Sequence, residues 1–203
     1  MRTDKTLETE NTEDFSNGAR TAGFAHPSRN VGAFGLQHGM KVADFGSGSG
    51  AYVLAIAERL GNTGHIYAID VQRDLLRRIQ NDAQKRGFKN VEIIWNDLER
   101  PMGSHLAEAQ LDLVLVSNLL FQIEAKQHVF AEAWRVLKPT GKLVIIDWSD
   151  SFRGLGPQKS EVVTKSSTMS LAKDNGFEYV KEFDAGAHHY GLIFRPTTKK
   201  ETI

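Results

Sequence analysis

The run Val42-Ala43-Asp44-Phe45-Gly46-Ser47-Gly48-Ser49-Gly50, leading straight into the apolar stretch Ala51–Leu60, limits the fold more than any other feature of the chain. An apolar strand that ends in alternate glycines and turns at once into a helix is the first unit of an α/β sheet. The glycines let the backbone come close to a ligand, and the helix N-terminus offers it unbonded N–H groups. Such a unit needs a parallel strand after its helix, and His65-Ile66-Tyr67-Ala68-Ile69-Asp70 follows the stop at Gly61-Asn62.

The alternation continues. Leu75, Leu76, Ile79 and Ala83 share one helical face, which Gly87 ends. Residues 91–95 read as a strand, and 111–116 as one buried on both faces because it is almost continuously apolar. Residues 124–137 suit a helix with Val129, Ala133, Trp134 and Leu137 inward. Pro139-Thr140-Gly141 suits a turn and residues 142–148 a further strand. A helix is expected within 166–174, and the short loop 184–187 makes strands 177–183 and 188–195 antiparallel. Pro27 is placed to start a short helix through Val31 and Phe34. The sum is an α/β fold, a mostly parallel sheet with helices on both faces. Residues 1–21 read as a mobile polar tail, 22–197 as a single domain and 198–203 as a C-terminal tail.

Composition removes several classes of chemistry. Lys plus Arg and Asp plus Glu are both 25, so no global positive field recruits nucleic acid or an acidic membrane surface. The basic stretch Arg73, Arg77, Arg78, Lys85, Arg86 and Lys89 reads as a solvated helix face. With no cysteine, disulfides, thiolate zinc sites and cysteine nucleophiles are excluded. No apolar run approaches the roughly 20 residues of a membrane helix, so membrane insertion is not expected. The N-terminus lacks signal-peptide character, and a cytoplasmic location is the expectation.

The glycine loop also meets a loose dinucleotide fingerprint, Gly46-x-Gly48-x-x-Ala51, so an NAD(P)-binding oxidoreductase is one reading. Two features favour S-adenosyl-L-methionine instead. Asp44 precedes the first glycine, where a carboxylate helps organise a cationic amino-acid end, and the terminal hairpin replaces the second mononucleotide half. Asp70, with Val71 beside it, ends the second strand where a carboxylate can accept ribose hydroxyls. Asn96, Asp97 and Leu98 follow the third strand, with Asp97 suited to an adenine amino group and Leu98 to the ring. Ser117-Asn118 follows the fourth, beside the methionine end.

These motifs, with Tyr67-Ala68-Ile69-Asp70, Asn96-Asp97-Leu98-Glu99, Ser117-Asn118-Leu119-Leu120-Phe121-Gln122 and Arg135-Val136-Leu137-Lys138-Pro139, resemble class I methyltransferases over about residues 23–195. The nearest branch is similar to small ubiquinone/menaquinone-biosynthesis C-methyltransferases. The resemblance implies a Rossmann-like seven-stranded sheet of order 3-2-1-4-5-7-6 with strand 7 antiparallel. It implies S-adenosyl-L-methionine as cofactor, held by Asp44, Gly46, Ser47, Gly48, Ser49, Gly50, Asp70, Val71, Asn96, Asp97, Leu98 and Asn118. Ser47 stands where these loops often carry Cys, and the polar stretch 158–168 is less regular than the usual approach to the last helix.

Methyl transfer is an in-line displacement in which the protein mainly aligns nucleophile and methyl group. Asn118 is followed by Leu119-Leu120-Phe121 rather than Pro-Pro-aromatic, which disfavours amino methylation of nucleic acids. Cytosine C5 and arsenite methylation rely on cysteines. The expected partner is therefore a small-molecule methyl acceptor, met by Phe24, His26, Phe121, Trp148, His188, His189 and Tyr190. His26, His128 or His189 could serve as a base, with His189 the candidate catalytic residue. Residues 23–29 are expected to close over the methionine end as a lid. A non-catalytic cofactor-binding partner subunit is a further reading.

Overall fold

The computed structural model describes residues 25–197. The N-terminal tail, Phe24 and residues 198–203 lie outside the described residues. Within them a seven-stranded sheet is built from β1 (Lys41–Phe45), β2 (His65–Asp70), β3 (Val91–Trp95), β4 (Leu111–Ser117), β5 (Leu137–Trp148), β6 (Phe177–Phe183) and β7 (His189–Pro196). The strand order is β3-β2-β1-β4-β5-β7-β6. Strands β1 to β5 pair in parallel, and β7 runs antiparallel to both β5 and β6. This is the Rossmann-like order that the resemblance implied.

Side-chain alternation along the central strands divides the core into two layers. Val42, Leu113, Leu115, Val144, Ile146 and Ile193 pack on the face covered by α1 (Pro27–Asn30), α2 (Ala51–Leu60) and α3 (Arg73–Lys85). Ala43, Phe45, Val114, Val116, Leu143, Ile145 and Leu192 pack on the other, under α4 (Lys126–Val136) and α5 (Lys165–Asp174). Both faces of β4 are thus buried, which explains its near-continuous apolar run. The edge strand β3 is only partly covered, and β6 is mostly exposed.

Three local expectations need correction. Pro139-Thr140-Gly141 does not separate a helix from a new strand, because β5 already begins at Leu137. Leu137 pairs with Leu111, but the next pair is Lys142 with Leu113, so the intervening residues arch out of the ladder as a wide bulge. The helix expected from 124 starts at Lys126, since the preceding amides of Glu124 and Ala125 are bound by the Glu99 carboxylate at 2.8 and 2.7 Å. His188 precedes β7 rather than opening it. Its φ of 65° turns the chain, and its ring meets Asp150 and stacks on Phe152.

Half of the basic helix face is paired. Arg77 lies 3.6 Å from Asp74 and Lys85 3.4 Å from Asp82, while Arg73 stacks over Trp95. No helix among the described residues is long and apolar enough to cross a membrane.

Candidate cofactor cleft

The carboxyl ends of β1, β2, β3 and β4 carry the candidate residues along one edge of the sheet, because Phe45 pairs with Ile69 and Val116 while Asp70 pairs with Trp95. A cleft of about 200 Å³ opens there, lined by Gly46, Gly48, Asp70, Val71, Asn96, Asp97 and Leu98 among others. The opposite wall is Leu119, Gln122 and Ile123, with Glu99 and Gln72 completing the rim.

The glycine loop is held as a compact turn. The N–H groups of Gly46 and Ser47 both donate to the Ile69 carbonyl, at 2.9 and 3.0 Å, which ties the loop to β2. Gly50 (φ 78°) begins α2 in a left-handed conformation, and a Cβ there would lie 2.4 Å from Ile79 Cγ1. That close approach seats α2 against α3 and excludes any larger residue. Gly48 (φ 50°) is different, because a Cβ there would meet only the Gly46 carbonyl at 3.9 Å. Its open side faces the cleft, as a backbone cradle for a ligand requires.

Asp70 is buried, and its carboxylate organises the turn. Oδ2 accepts from Gly48 N–H at 2.8 Å and Oδ1 from Gln72 N–H at 2.8 Å. Each oxygen keeps a further lone pair for a hydroxyl donor. Asp97 caps its own turn through Glu99 N–H at 2.9 Å and meets Arg100 at 3.2 Å. Leu98 is buried, whereas Val71 is 57% exposed and offers an apolar surface at the mouth.

Asp44, Ser47 and Asn118 lie outside the wall of this cleft, and Ser49 is exposed beside Gly50 on the loop. Asp44 Oδ1, Ser47 Oγ and Asn118 Oδ1 are all buried and have no hydrogen-bond partner among the described residues. Burial, reinforced by the charge on Asp70, pushes the Asp44 carboxyl up to about 7. Asn118 takes a φ of 52°, with its N–H donating to Ile146 O and its carbonyl accepting from Gln122. Buried polar atoms without partners cost about 1–3 kcal/mol each, so the Asp44 and Asn118 oxygens call for hydrogen-bond donors and the Ser47 hydroxyl for a partner of either kind. A cationic ammonium group with its three N–H donors fits that donor demand.

The acceptor candidates separate. Trp148 and His189 are direct partners across β5 and β7, with ring centroids 4.3 Å apart. The register puts them on the same sheet face as Ile146 and Val144, the face that also carries Tyr52 and Asn30. Tyr190 faces the other way. It is 8% exposed, bonded to Thr168 at 2.7 Å and to the Val163 carbonyl at 2.9 Å, and belongs to the core beneath α5. His26 is exposed at the start of α1, and Phe121 is half-buried on the turn Leu120–Gln122. His128 meets the Glu99 carbonyl with Nδ1 and so is tied into the wall.

His189 Nδ1 lies 3.1 Å from the Ala187 carbonyl, which can only accept, so Nδ1 carries the proton. Nε2 then has a lone pair, and it is buried with no hydrogen-bond partner among the described residues. Burial lowers its pKa, which keeps the imidazole neutral near pH 7. Among the described residues no group of His, Cys, Asp or Glu is arranged to hold a metal ion.

Glu99, Leu119 and Gln122 stand within the motif runs that carry the resemblance but were given no role there, and none was given to Ile123 or Asp147. Asp147 is fully buried and accepts from Leu120 N–H at 2.9 Å and Trp148 N–H at 2.8 Å. The available signal was a lone carboxylate closing the otherwise apolar run Leu143-Val144-Ile145-Ile146.

Comparison with known proteins bears on the family and the fold. A ubiquinone/menaquinone biosynthesis C-methyltransferase of Bordetella parapertussis is 29% identical over 127 residues, 63% of this chain and 48% of that protein. An arsenite methyltransferase of Aquipseudomonas alcaligenes is 32% identical over 117 residues, 55% of this chain and 34% of that one. The chain thus spans about half, or less, of the length of these curated relatives. The crystal structure of a SAM dependent methyltransferase from Aquifex aeolicus superposes with a TM-score of 0.76 at 27% identity, covering 84% of this chain and 89% of that one. The family model of a methyltransferase domain matches residues 36–191, so this chain belongs to the methyltransferase domain family.

Proposed function

We propose that the protein transfers a methyl group from S-adenosyl-L-methionine to a small-molecule acceptor. The observation that carries the cofactor assignment is the set of partnerless buried acceptors on Asp44, Ser47 and Asn118, next to a glycine loop whose backbone is open to the cleft. In this reading Asp44 and Asn118 receive the ammonium group, and Asp70 accepts the ribose hydroxyls on its remaining lone pairs. Val71 and Leu98 sandwich the adenine while Asn96 and Asp97 bond its edge. When bound, the cofactor supplies an electrophilic methyl group on a sulfonium with a good leaving group.

The chain's own residues then align the acceptor and exclude water. Trp148 and His189 are the acceptor contacts we favour, since they share the sheet edge and face of Asp44. Neutral His189 can take the acceptor's proton on Nε2 as the new bond forms. The absence of cysteine favours an organic acceptor over arsenite, despite the similarity to arsenite methyltransferases. The terminal hairpin and the lone antiparallel β7 stand against a dinucleotide domain.

The test is a screen with methyl-labelled cofactor against phenols, enols, carbon acids and amines. Label in a small-molecule product is the expected result. Label appearing only in added protein or nucleic acid would overturn the acceptor class.

A further inference from the structure

The wall of the cleft opposite Asp70 is a short irregular segment, residues 119–125, between β4 and α4. Irregular backbone holds its shape only where its N–H groups find fixed acceptors. Two carboxylates from elsewhere in the chain provide them. Asp147, at the end of β5, takes Leu120 N–H at 2.9 Å. Glu99, after β3, takes Glu124 N–H at 2.8 Å and Ala125 N–H at 2.7 Å. The segment is therefore pinned near both ends. Between the pins, Leu119 packs directly on the glycine loop, since a Cβ on Gly46 would lie 2.8 Å from Leu119 Cδ1. Leu119, Gln122 and Ile123 face the cleft from this strap.

We propose that Asp147 is a positioning residue whose charge holds the Leu119 end of the cleft wall against the glycine loop, with Glu99 holding the other end. The proposal rests on the reading that the cofactor occupies this cleft. An ionised carboxylate is roughly twice as strong an acceptor as a neutral group, so neutralising Asp147 loosens the Leu120 pin. Burial raises the Asp147 pKa to about 6, against the lowering effect of its two backbone N–H bonds and of Lys126 on α4. Tyr190 of β7 also faces it and is held neutral, its own pKa raised by burial and by Asp147. The Leu120 pin is thus intact above pH 7 and weakened below about pH 6.

Hydrogen exchange resolved to single amides, combined with calorimetric titration of S-adenosylhomocysteine, tests this on the full chain. In Asp147→Asn the Leu120 amide should lose about tenfold of its protection while Glu124 and Ala125 keep theirs, and the Kd should rise about tenfold. Glu99→Gln should give the opposite amide pattern. The unmodified protein at pH 5.0 against pH 7.5 should reproduce the selective Leu120 loss, an arm that needs no variant to fold. Asp44 also titrates in this range but has no bond to Leu120, so the amide readout separates the two. Unchanged Leu120 protection in both arms overturns the proposal. So does a Leu120 loss that leaves the Kd unaltered. If the unmodified protein does not bind S-adenosylhomocysteine at all, the cofactor reading itself fails, and the positioning role fails with it.

Discussion

Replacing Asp44 by Asn should abolish most of the pH dependence of cofactor binding while making the unliganded protein more stable. The Asp44 carboxyl is 2% exposed, and its pKa is raised to about 7 by burial and by the nearby Asp70. If the ammonium group binds only the ionised form, the Kd scales as one plus the ratio of protonated to ionised carboxyl. That factor is about elevenfold at pH 6 and about 1.1-fold at pH 8, a loss of roughly 1.4 kcal/mol on acidification. Asp147, with its pKa near 6, adds about a further twofold at pH 6. Asn keeps the shape and one acceptor oxygen but no charge. The variant should therefore bind about tenfold or more weakly at pH 8, at the low end of a charge-assisted bond, and change little between pH 6 and pH 8. The stability effect has the opposite sign. Because the folded-state pKa lies above the unfolded value, ionised Asp44 costs stability, beginning near pH 4 and complete above about pH 7. A shift of about three units sets an upper bound of about 4 kcal/mol on what Asn recovers in the unliganded state. Isothermal titration with S-adenosylhomocysteine at both pH values, with thermal melts of the free proteins, measures both effects. An equally steep pH dependence in the variant would refute the placement of the ammonium group at Asp44.

Three further outcomes follow from the same geometry. Gly50→Ala forces a Cβ to within 2.4 Å of Ile79 at positive φ, and thermal unfolding should report a loss of about 2–4 kcal/mol from overpacking and backbone strain. Asp70→Ala should weaken S-adenosylhomocysteine by roughly 2–4 kcal/mol in a folded protein, since it removes charge-assisted hydroxyl contacts and the Gly48 anchor together; unchanged affinity would place the ribose elsewhere. His189→Gln should lower kcat by about 10²–10³ for acceptors that must lose a proton, flatten the acidic limb of the pH–rate profile and leave cofactor affinity unaltered; equal loss with acceptors that need no deprotonation would rule out the base role.

The strands were readable because each core strand carries a run long enough to show its burial, and stops such as Gly61 and Gly87 end the helices before them, whereas the strand order came only from the family resemblance, since periodicity does not say which strands pair. The cleft-lining residues Asp70, Asn96, Asp97 and Leu98 were readable because position alone, just past a parallel strand, defines them. What escaped was the far wall. Glu99 and Asp147 act through backbone amides of residues distant in sequence, Ala125 and Leu120, and periodicity carries no information about such pairings. The bulge in β5 escaped for a related reason. Pro139 and Gly141 signal a change of direction, but only pairing with Leu111 shows that Leu137 already belongs to the strand. Tyr190 and His189 look alike as acceptor candidates in sequence, yet adjacent residues of a strand face opposite layers, and only His189 shares a face with Trp148. Of the lid expected from residues 23–29, Phe24 lies outside the described residues. Of the part within them, Arg29 pairs with Asp184 at 2.6 Å, and the next residue, buried Asn30, donates to the Tyr52 hydroxyl and the Ala185 carbonyl.

We propose the cleft between Asp70 and the Leu119 wall, together with the buried acceptors beside it, as a site for S-adenosyl-L-methionine. Calorimetric titration of the unmodified protein with S-adenosylhomocysteine and, separately, with NAD at pH 8 tests it most directly. One site per chain with micromolar affinity for S-adenosylhomocysteine and no measurable heat with NAD are expected. Saturable NAD binding without S-adenosylhomocysteine binding would contradict the proposal.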